Sequence, residues 1–346
     1  MDQKIYEIKT LLLKGIKNHD FPGASLSMFD SKKAYHLSLG YKMLEPKKVE
    51  VSGDEIYDIA SLTKVVFTTT AVMQLIEKNV LSLNTPITSI LDWFKHKDIT
   101  IYDLLIHSSG LPADIKKSYT YQTKDQIINT LKKMDVIYEK GKHIVYSDCG
   151  FILLGLVIEK VTNMSLDEYG QTYIFKPLGM HDTTFFPKVK RCAPTEFRSD
   201  ETFKGLLQGK VHDEKAFALG EAGHAGLFST SKDLLLFCQS LLFDEQILSR
   251  KSIELLLKIQ ITKNDLNHQL KSRAIGWQKP TGITYAGDYI NKESVLMHTG
   301  FTGCHMVICF QQKKAYVCLS NAVHPKREKN KIVQYRRKLS NIILGE

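Results

Sequence analysis

The sequence predicts an α/β fold of the α+β kind, in which an antiparallel sheet flanked by helices is joined to a mostly helical lobe. Two observations lead to this prediction. Short β-prone runs lie towards both ends of the 346-residue chain, each bordered by helix-periodic segments. The stretch between them has helical patterns broken by Pro and Gly turns. We therefore expect a discontinuous α/β lobe of residues 1–80 and 224–346 and a mostly helical lobe of residues 81–223.

Each element follows from its own pattern. Apolar residues at helical spacing predict an amphipathic helix over 2–18, and a second helix running from Ser61 to about Asn79. Further helices are predicted at 98–107, 124–134, 149–161, 165–175, 231–242, 250–260 and 328–343. Strands are predicted as a hairpin at 24–29 and 34–39, and as an antiparallel meander at 295–298, 304–310 and 315–319.

Composition excludes several classes of function. The net charge is +10, but the lysines are spread along the chain with no arginine-rich or aromatic-interleaved stretch, so we expect no nucleic-acid partner. No segment approaches a signal-peptide core or a membrane span, so we expect a cytoplasmic protein without a membrane partner. The six cysteines lack metal-ligand spacing and are expected to be reduced core thiols.

Ser61 and Lys64 stand three residues apart at the start of an apolar-periodic run. Residues i and i+3 share a helix face, so the amine would lie beside the hydroxyl. An amine made less basic by burial is one way to activate a serine, and N–H groups of the first helical turn can hold an oxyanion. A serine acyl-transfer site is the hypothesis. A helix cap followed by a solvated lysine gives the same pattern, as in Ser229-Thr230-Ser231-Lys232.

Tyr146 lies in Val145-Tyr146-Ser147-Asp148, just before the long helix predicted from 149. A tyrosine near a cation ionises more easily and can act as the base for a serine hydroxyl. The structural alternative is a tyrosine packed at a helix start, with Ser147 or Asp148 as the cap.

The segment from Met297 to Gly303, with His298-Thr299-Gly300-Phe301 inside it, ends a predicted strand. Glycine at this place lets a substrate approach the strand backbone, and the N–H of Phe301 could supply a second oxyanion donor. A tight turn between two strands is the structural alternative.

Together and in this order, the three segments resemble the serine β-lactamase and penicillin-binding-protein superfamily, most closely its class C β-lactamase, DD-peptidase and esterase branch, in which a Tyr-x-Asn motif takes the second position. The resemblance implies a β-lactamase/transpeptidase-like fold with an all-helical lobe and the site in the cleft between the lobes. It extends over nearly the whole chain, through further landmarks at 85–87, 104–112, 177–180, 223–229 and 276–277.

The resemblance also implies roles. Ser61 would be the acylated nucleophile, Lys64 its proton-sharing partner and Tyr146 the general base, although which of Lys64 and Tyr146 takes the serine proton stays open. Backbone N–H groups of Ser61 and Phe301 would form the oxyanion hole, and His298 falls where the family usually has lysine. The residues expected to contact substrate are Asp148, Thr299, Gly300 and Phe301.

Two departures from the family pattern bear on the substrate. A largely neutral imidazole at His298 attracts a carboxylate less well than lysine does. Asp148 replaces an asparagine whose amide donates to the substrate, and an ionised carboxylate only accepts. A site with an added anion and one cation fewer should disfavour β-lactams and D-Ala-D-Ala peptides, which carry a carboxylate. Neutral esters or amides fit this expectation better.

The remaining polar candidates are not expected to bind metal. No His-x-x-x-His or Cys-x-x-Cys spacing accompanies them, so they are interpreted as residues that order the rim of the cleft, and Asp213 has no assigned role. His107 and His143 are expected to be structural. The residues weighed as metal ligands are His212, Asp213, Glu214 and His224.

The sequence thus predicts a serine hydrolase without metal or cofactor, acting through an acyl-enzyme on small neutral esters or amides, with a small-molecule acyl substrate as its partner. A β-lactamase or D-amino-acid peptidase with altered carboxylate recognition is the alternative within this class. A non-catalytic binding protein that retains the fold is the alternative outside it. The sequence does not indicate an oligomeric state.

Overall fold

The computed structural model describes residues 1–345. Its strands, in chain order, are β1 Gly23–Phe29, β2 Ala34–Met43, β3 Val49–Glu50, β4 Tyr57–Asp58, β5 Phe197–Ser199, β6 Lys204–Leu206, β7 Phe228–Ser229, β8 Ile261–Asn264, β9 Leu270–Arg273, β10 Gln278–Lys279, β11 Val295–Thr299, β12 His305–Cys309 and β13 Lys314–Leu319. Nine of them form one antiparallel sheet in the order β3-β2-β1-β13-β12-β11-β10-β9-β8. The pairs β4-β7 and β5-β6 form two small separate sheets.

Helices cover both faces of the large sheet. They are α1 Asp2–Lys17, α2 Thr70–Glu77, α3 Ile101–Leu105, α4 Lys124–Lys133, α5 Asp148–Thr162, α6 Leu166–Gly170, α7 Glu214–Leu219, α8 Ser231–Phe243, α9 Arg250–Leu257 and α10 Val333–Leu344. The apolar sides of α1 and α10 pack on one face of the sheet in a compact cluster. The larger cluster on the other face contains α2, α5 and α8. The predicted antiparallel sheet flanked by helices is confirmed.

The predicted elements differ from the structure mainly at their ends. The closing helix begins at Val333 rather than 328, because the Asn330 side chain accepts a hydrogen bond from the N–H of Ile332 and forms a turn there. The helix predicted to 260 ends at Leu257, since β8 begins at Ile261. The sequence did not predict β8, whose lysine and asparagine side chains face solvent and break the apolar alternation.

The segment that carries Ser61 is not one continuous α-helix as predicted. A 3₁₀ turn, Ala60–Leu62, leads into a π-helical turn, Lys64–Thr69, before α2 begins at Thr70. Hydroxyl groups support the wider turn: Thr69 Oγ1 donates to the carbonyl of Lys64 at 2.7 Å. π-Helical turns inside helices are frequent at functional sites.

The two-lobe division stays a prediction. All strands of the large sheet come from 23–50 and 261–319, and the stretch 81–223 supplies α3 to α7 with the small β5-β6 sheet. Residues of both stretches nevertheless share one apolar cluster, in which Val65 and Phe151 are fully buried.

No single helix within residues 1–345 is long and apolar enough to cross a membrane. The segments Asp148–Thr162 and Leu166–Phe175 meet that criterion only as a pair, which is bent by 76°. In the structure, α5 is a core helix whose residues from Cys149 to Ile158 are all buried.

Two glycines on α5 allow a direct test of how this helix meets the loop before β7. A Cβ atom on Gly155 would stand 2.8 Å from the backbone nitrogen of Gly223, whereas one on Gly150 would have its nearest contact at 3.4 Å. We predict that Gly155→Ala lowers the free energy of unfolding by about 1–3 kcal/mol, because the loop must move. Gly150→Ala, the matched control, should be neutral or stabilising, since alanine is the better helix former. Urea denaturation measures both, and equal stability of the two variants would contradict this packing.

Candidate active site

Ser61 lies in a short turn that follows β4 and lines a cleft of about 470 Å³. The residue before it, Ala60, has a φ of +47°, in the left-handed region that costs a non-glycine residue energy. The N–H of Ala60 donates to Asp58 Oδ1 at 2.8 Å, which supports this conformation. Backbone strain next to the serine therefore presents its hydroxyl to the cleft.

Lys64 is fully buried and its ammonium group has three acceptors. Nζ donates to Ser61 Oγ at 3.1 Å, to Asp148 Oδ1 at 2.7 Å and to the carbonyl of His224 at 2.8 Å. Burial alone would lower the pKa of Lys64, but Asp148 and then Tyr146 outweigh it and the pKa is raised. Burial therefore does not make this amine less basic, because the carboxylate of Asp148 lies beside it.

Tyr146 lies between two cations. The centre of its ring is 4.9 Å from Lys64 Nζ and 5.2 Å from the guanidinium carbon of Arg273. Its hydroxyl is buried and has no hydrogen-bond partner within residues 1–345. His107 fixes the loop on both sides of Tyr146: its carbonyl accepts from the N–H of Val145 at 2.9 Å and its Nδ1 from that of Ser147 at 3.0 Å.

His298 lies near the end of β11, facing the same cleft. Its Nδ1 is 3.0 Å from the carbonyl of Thr299, and since a carbonyl only accepts, Nδ1 carries the hydrogen and Nε2 is an acceptor. Nε2 is buried and has no partner in the described part of the chain. Burial, with Arg273 and Lys64, lowers the pKa of His298 to about 3. At neutral pH this side chain is an uncharged acceptor, the opposite of a lysine.

The residues that follow His298 differ in whether they line the cleft. The side chains of Thr299 and Phe301 line it. The Phe301 ring is 55% exposed and lies 5.4 Å from the His212 ring. Gly300 instead packs behind the serine, where a Cβ atom would stand 2.4 Å from the carbonyl oxygen of Ile59. Glycine at position 300 thus allows the end of β11 to approach the Ser61 turn.

Asp148 does not present an unpaired carboxylate to the cleft. Oδ1 binds Lys64, and Oδ2 lies 3.5 Å from Nζ of Lys215. Burial would raise the pKa of Asp148, but Lys64, His224 and Lys215 lower it below the usual value. Asp148 thus adds a carboxylate to the site, as expected, but this carboxylate is paired with two lysines of the protein.

Sequence reasoning missed two cations of the cleft, Lys215 and Arg273. Lys215 follows directly after the His212-Asp213-Glu214 stretch, which was expected to order the rim of the cleft, but Lys215 itself was given no role. Arg273 ends β9 three residues before Gly276, and Nε and Nη1 are buried without partners in the described chain. Its position just before the Gly276-Trp277 landmark of the resemblance was the signal that could have pointed to it.

Asp213, which had no assigned role, caps a helix and binds two side chains. Oδ1 accepts from the N–H of Ala216 at 2.9 Å and lies 2.8 Å from His224 Nε2, and Oδ2 is 2.8 Å from Lys215 Nζ. Asp148, Asp213 and His224 offer ligand atoms within 4.8 Å of one another, a spacing that could hold a metal ion. The ammonium groups of Lys64 and Lys215 already contact both carboxylates. The absence of a metal stays a prediction.

The fold and the cleft together are those of a serine hydrolase, with a serine that is paired with a lysine in a cleft that a tyrosine also lines. The family model described as beta-lactamase matches residues 8–339. The chain belongs to the β-lactamase family, as the resemblance predicted.

Relatives and solved structures agree with this membership. An Escherichia coli O157:H7 protein named "Putative D-alanyl-D-alanine carboxypeptidase" is 29% identical, with 88% of this chain and 79% of that protein covered. A Bacillus subtilis (strain 168) protein named "N-acetylmuramyl-L-alanine amidase" is 30% identical, with 88% and 78% covered. The structure of EstCE1, described as a hydrolase with promiscuous acyltransferase activity, matches with a TM-score of 0.81 at 20% identity, covering 99% of both chains. At that identity the structural match shows the fold alone.

The electrostatics of His298 lead to a testable prediction. Because its pKa is lowered to about 3, His298 should stay neutral between pH 5 and 8. It should therefore contribute nothing to the acid limb of the profile, the part in which the reaction rate falls as the pH is lowered. We expect His298→Gln, which keeps a neutral polar side chain, to change the rate of Ser61 labelling by a fluorophosphonate by the same factor at every pH in this range. If the labelling rate of the wild-type protein titrates near pH 6–7 and that of the variant does not, the imidazole of His298 gains a proton in this range and the prediction is wrong.

Proposed function

We propose that the protein hydrolyses an amide bond of a small acyl substrate through an acyl-enzyme at Ser61, with Tyr146 as the general base. The observation that carries this proposal is that the two candidate bases, Lys64 and Tyr146, differ in their ability to accept a proton. Lys64 is a cation with its pKa raised, so it has no free electron pair to accept a proton. The hydroxyl oxygen of Tyr146 is buried in the cleft without a hydrogen-bond partner within residues 1–345, so its acceptor sites are not taken by the protein.

The proposed reaction has two halves. Tyr146, reacting in its deprotonated form, takes the proton of Ser61 Oγ as this oxygen attacks the carbonyl carbon, and the N–H groups of Ser61 and Phe301 donate to the oxyanion. The amide nitrogen then leaves with the proton from Tyr146, so that an ester to Ser61 and a free amine remain. Water attacks this ester, Tyr146 takes the proton from water and returns it to Ser61, and the acid is released. Lys64 stays protonated throughout and orients Ser61 Oγ.

The substrate we propose is an amide that also carries a carboxylate. Both named relatives have names that denote cleavage of an amide bond to alanine. The sequence-based preference for neutral substrates relied on a cation deficit, whereas Arg273 places in the cleft a guanidinium that has no ion-pair partner among residues 1–345. Arginine binds carboxylates through paired N–H groups, and a buried, unpartnered guanidinium favours such a ligand. Esters with the same acyl group would react by the same steps.

A panel of substrates with single variants tests the reaction. N-acyl-D-alanyl-D-alanine, N-acetylmuramyl-L-alanine, short acyl esters and a chromogenic cephalosporin would be assayed side by side. We expect amide turnover that Ser61→Ala abolishes, and a fall in kcat of about 10²–10⁴-fold in Tyr146→Phe with little change in KM, since a base acts in the transition state. Tyr138→Phe is the matched control, because Tyr138 also has a buried hydroxyl without a partner but does not line the cleft.

Three results would contradict the proposal in different ways. Normal kinetics in Tyr146→Phe would remove this residue from the mechanism. Rapid cephalosporin hydrolysis with no amide turnover would favour a β-lactamase. Folded protein that neither turns over any substrate nor forms a fluorophosphonate adduct at Ser61 would favour a binding protein that retains the fold.

Arg273 allows a separate test of the substrate's charge. For an amide with a free carboxylate, Arg273→Gln should lower kcat/KM by about 10- to 100-fold, the loss expected for a charged hydrogen bond. For the matched methyl ester of that carboxylate the same variant should have little effect. Arg327→Gln is the control, since Arg327 also lines the cleft but is paired with Glu196 at 2.6 Å, and it should affect both substrates alike. An equal loss for both substrates in Arg273→Gln would exclude a role in carboxylate recognition.

A further inference from the structure

Four buried or half-buried charges form a closed ring behind Ser61. Lys64 Nζ lies 2.7 Å from Asp148, and Asp148 lies 3.5 Å from Lys215 Nζ. Lys215 Nζ lies 2.8 Å from Asp213, which is 2.8 Å from His224 Nε2. The backbone carbonyl of His224 closes the ring by accepting from Lys64 Nζ at 2.8 Å. Three separate segments of the chain, the serine turn, the start of α5 and the region around α7, are joined through this ring.

Lys215 balances the charge of this ring. Lys64 supplies one positive charge, and Asp148 and Asp213 supply two negative ones. Lys215 adds the second positive charge, and its side chain is only 2% exposed. A buried charge without a partner is strongly destabilising, so a second cation is required where two carboxylates face one lysine. Asp114 Oδ1, 2.9 Å from the same ammonium group, lies at the edge of the ring with 54% of its side chain exposed.

The need for Lys215 follows from the residue at position 148. The Tyr-x-Asn motif of the family has a neutral asparagine at this position, whereas this chain has an aspartate. If Lys64 had to neutralise both Asp148 and Asp213, its ammonium group would be drawn away from Ser61 Oγ, to which it donates at 3.1 Å. With Lys215 present, each carboxylate has a cation of its own.

We propose that Lys215 is a positioning residue of the active site, which neutralises Asp148 and Asp213 and thereby keeps Lys64 directed at Ser61. It acts through Asp148 and does not touch the reacting atoms. This inference rests on the proposed hydrolysis at Ser61, and its test includes a measurement that needs no knowledge of the substrate.

The pH dependence follows from the charges that face one another. Asp148 is faced by Lys64, Lys215, His224 and Asp213, and Asp213 is also faced by Asp58. Lys215 lowers the pKa of both Asp148 and Asp213. Without it, both carboxyl groups would be protonated at a higher pH as the solution is acidified. Since Asp148 holds Lys64 only as an anion, the acid limb of activity should move to higher pH.

The experiment measures the rate of Ser61 labelling by a fluorophosphonate across pH, with kcat and KM for amide turnover. We expect Lys215→Met to lower the labelling rate and kcat by about 10- to 100-fold with a smaller change in KM, and to shift the acid limb upward. Lys215→Arg, which keeps the charge, should retain more activity. The double variant Lys215→Met with Asp213→Asn should be more active than Lys215→Met alone, because it removes the carboxylate that would compete for Lys64 and leaves Asp148 to hold it.

Lys124→Met is the control for loss of a lysine ion pair, since Lys124 pairs with Glu159 at 2.8 Å outside the cleft and should label at the wild-type rate. A thermal melt of each variant separates loss of folding from a displaced Lys64 in folded protein. If Lys215→Met does not fold, the double variant, in which the charges are balanced, provides the test. The proposal is wrong if Lys215→Met labels Ser61 at the wild-type rate with the same acid limb, or if the double variant shows no gain over the single one. Wild-type protein that is not labelled at all would contradict the proposed function, and this inference with it.

Discussion

A lysine ammonium group without access to water is the constraint around which the cleft is built. The cost of removing such a charge from water is several kcal/mol even after relaxation, so Lys64 requires acceptors on every side. It finds them in the serine hydroxyl, in Asp148 and in the carbonyl of His224. Because these acceptors belong to three distant parts of the chain, satisfying one ammonium group brings the three parts together.

Close backbone contacts make this convergence sterically feasible. The end of β11 reaches the serine turn because Gly300 has no Cβ to strike the carbonyl of Ile59. The loop that supplies the carbonyl of His224 approaches α5 through Gly155 and Gly223, where added Cβ atoms would also overlap backbone. A histidine, His107, holds the Tyr146 loop through hydrogen bonds on both sides. Packing and charge thus require the same arrangement of the chain.

The sequence predicted the parts of the site that depend on short spacing or on a motif. Lys64 lies beside Ser61, as the i, i+3 spacing indicated, even though the turn is π-helical and not α-helical. The sequence left open which of Lys64 and Tyr146 takes the serine proton, because the state of Lys64 depends on Asp148, which is 84 residues away along the chain. Lys215 and Arg273 were missed for the same reason. A lysine or arginine in a sequence has no visible partner, and its role depends on which carboxylates the fold brings near it.

Pairing, more than the number of charges, sets the electrostatics of this cleft. Counting residues at two motif positions gave one cation fewer and one anion more than the family pattern. In the structure Asp148 is neutralised within the protein, and Lys215 and Arg327 are each held by carboxylates. Arg273 has no carboxylate partner within the described residues, and His298 beside the cleft contributes an acceptor without charge. Among the arginines that line the cleft in the described part of the chain, Arg273 is therefore the one without a carboxylate, and the departures at positions 148 and 298 change the pairing inside the site rather than leaving a free negative charge in it.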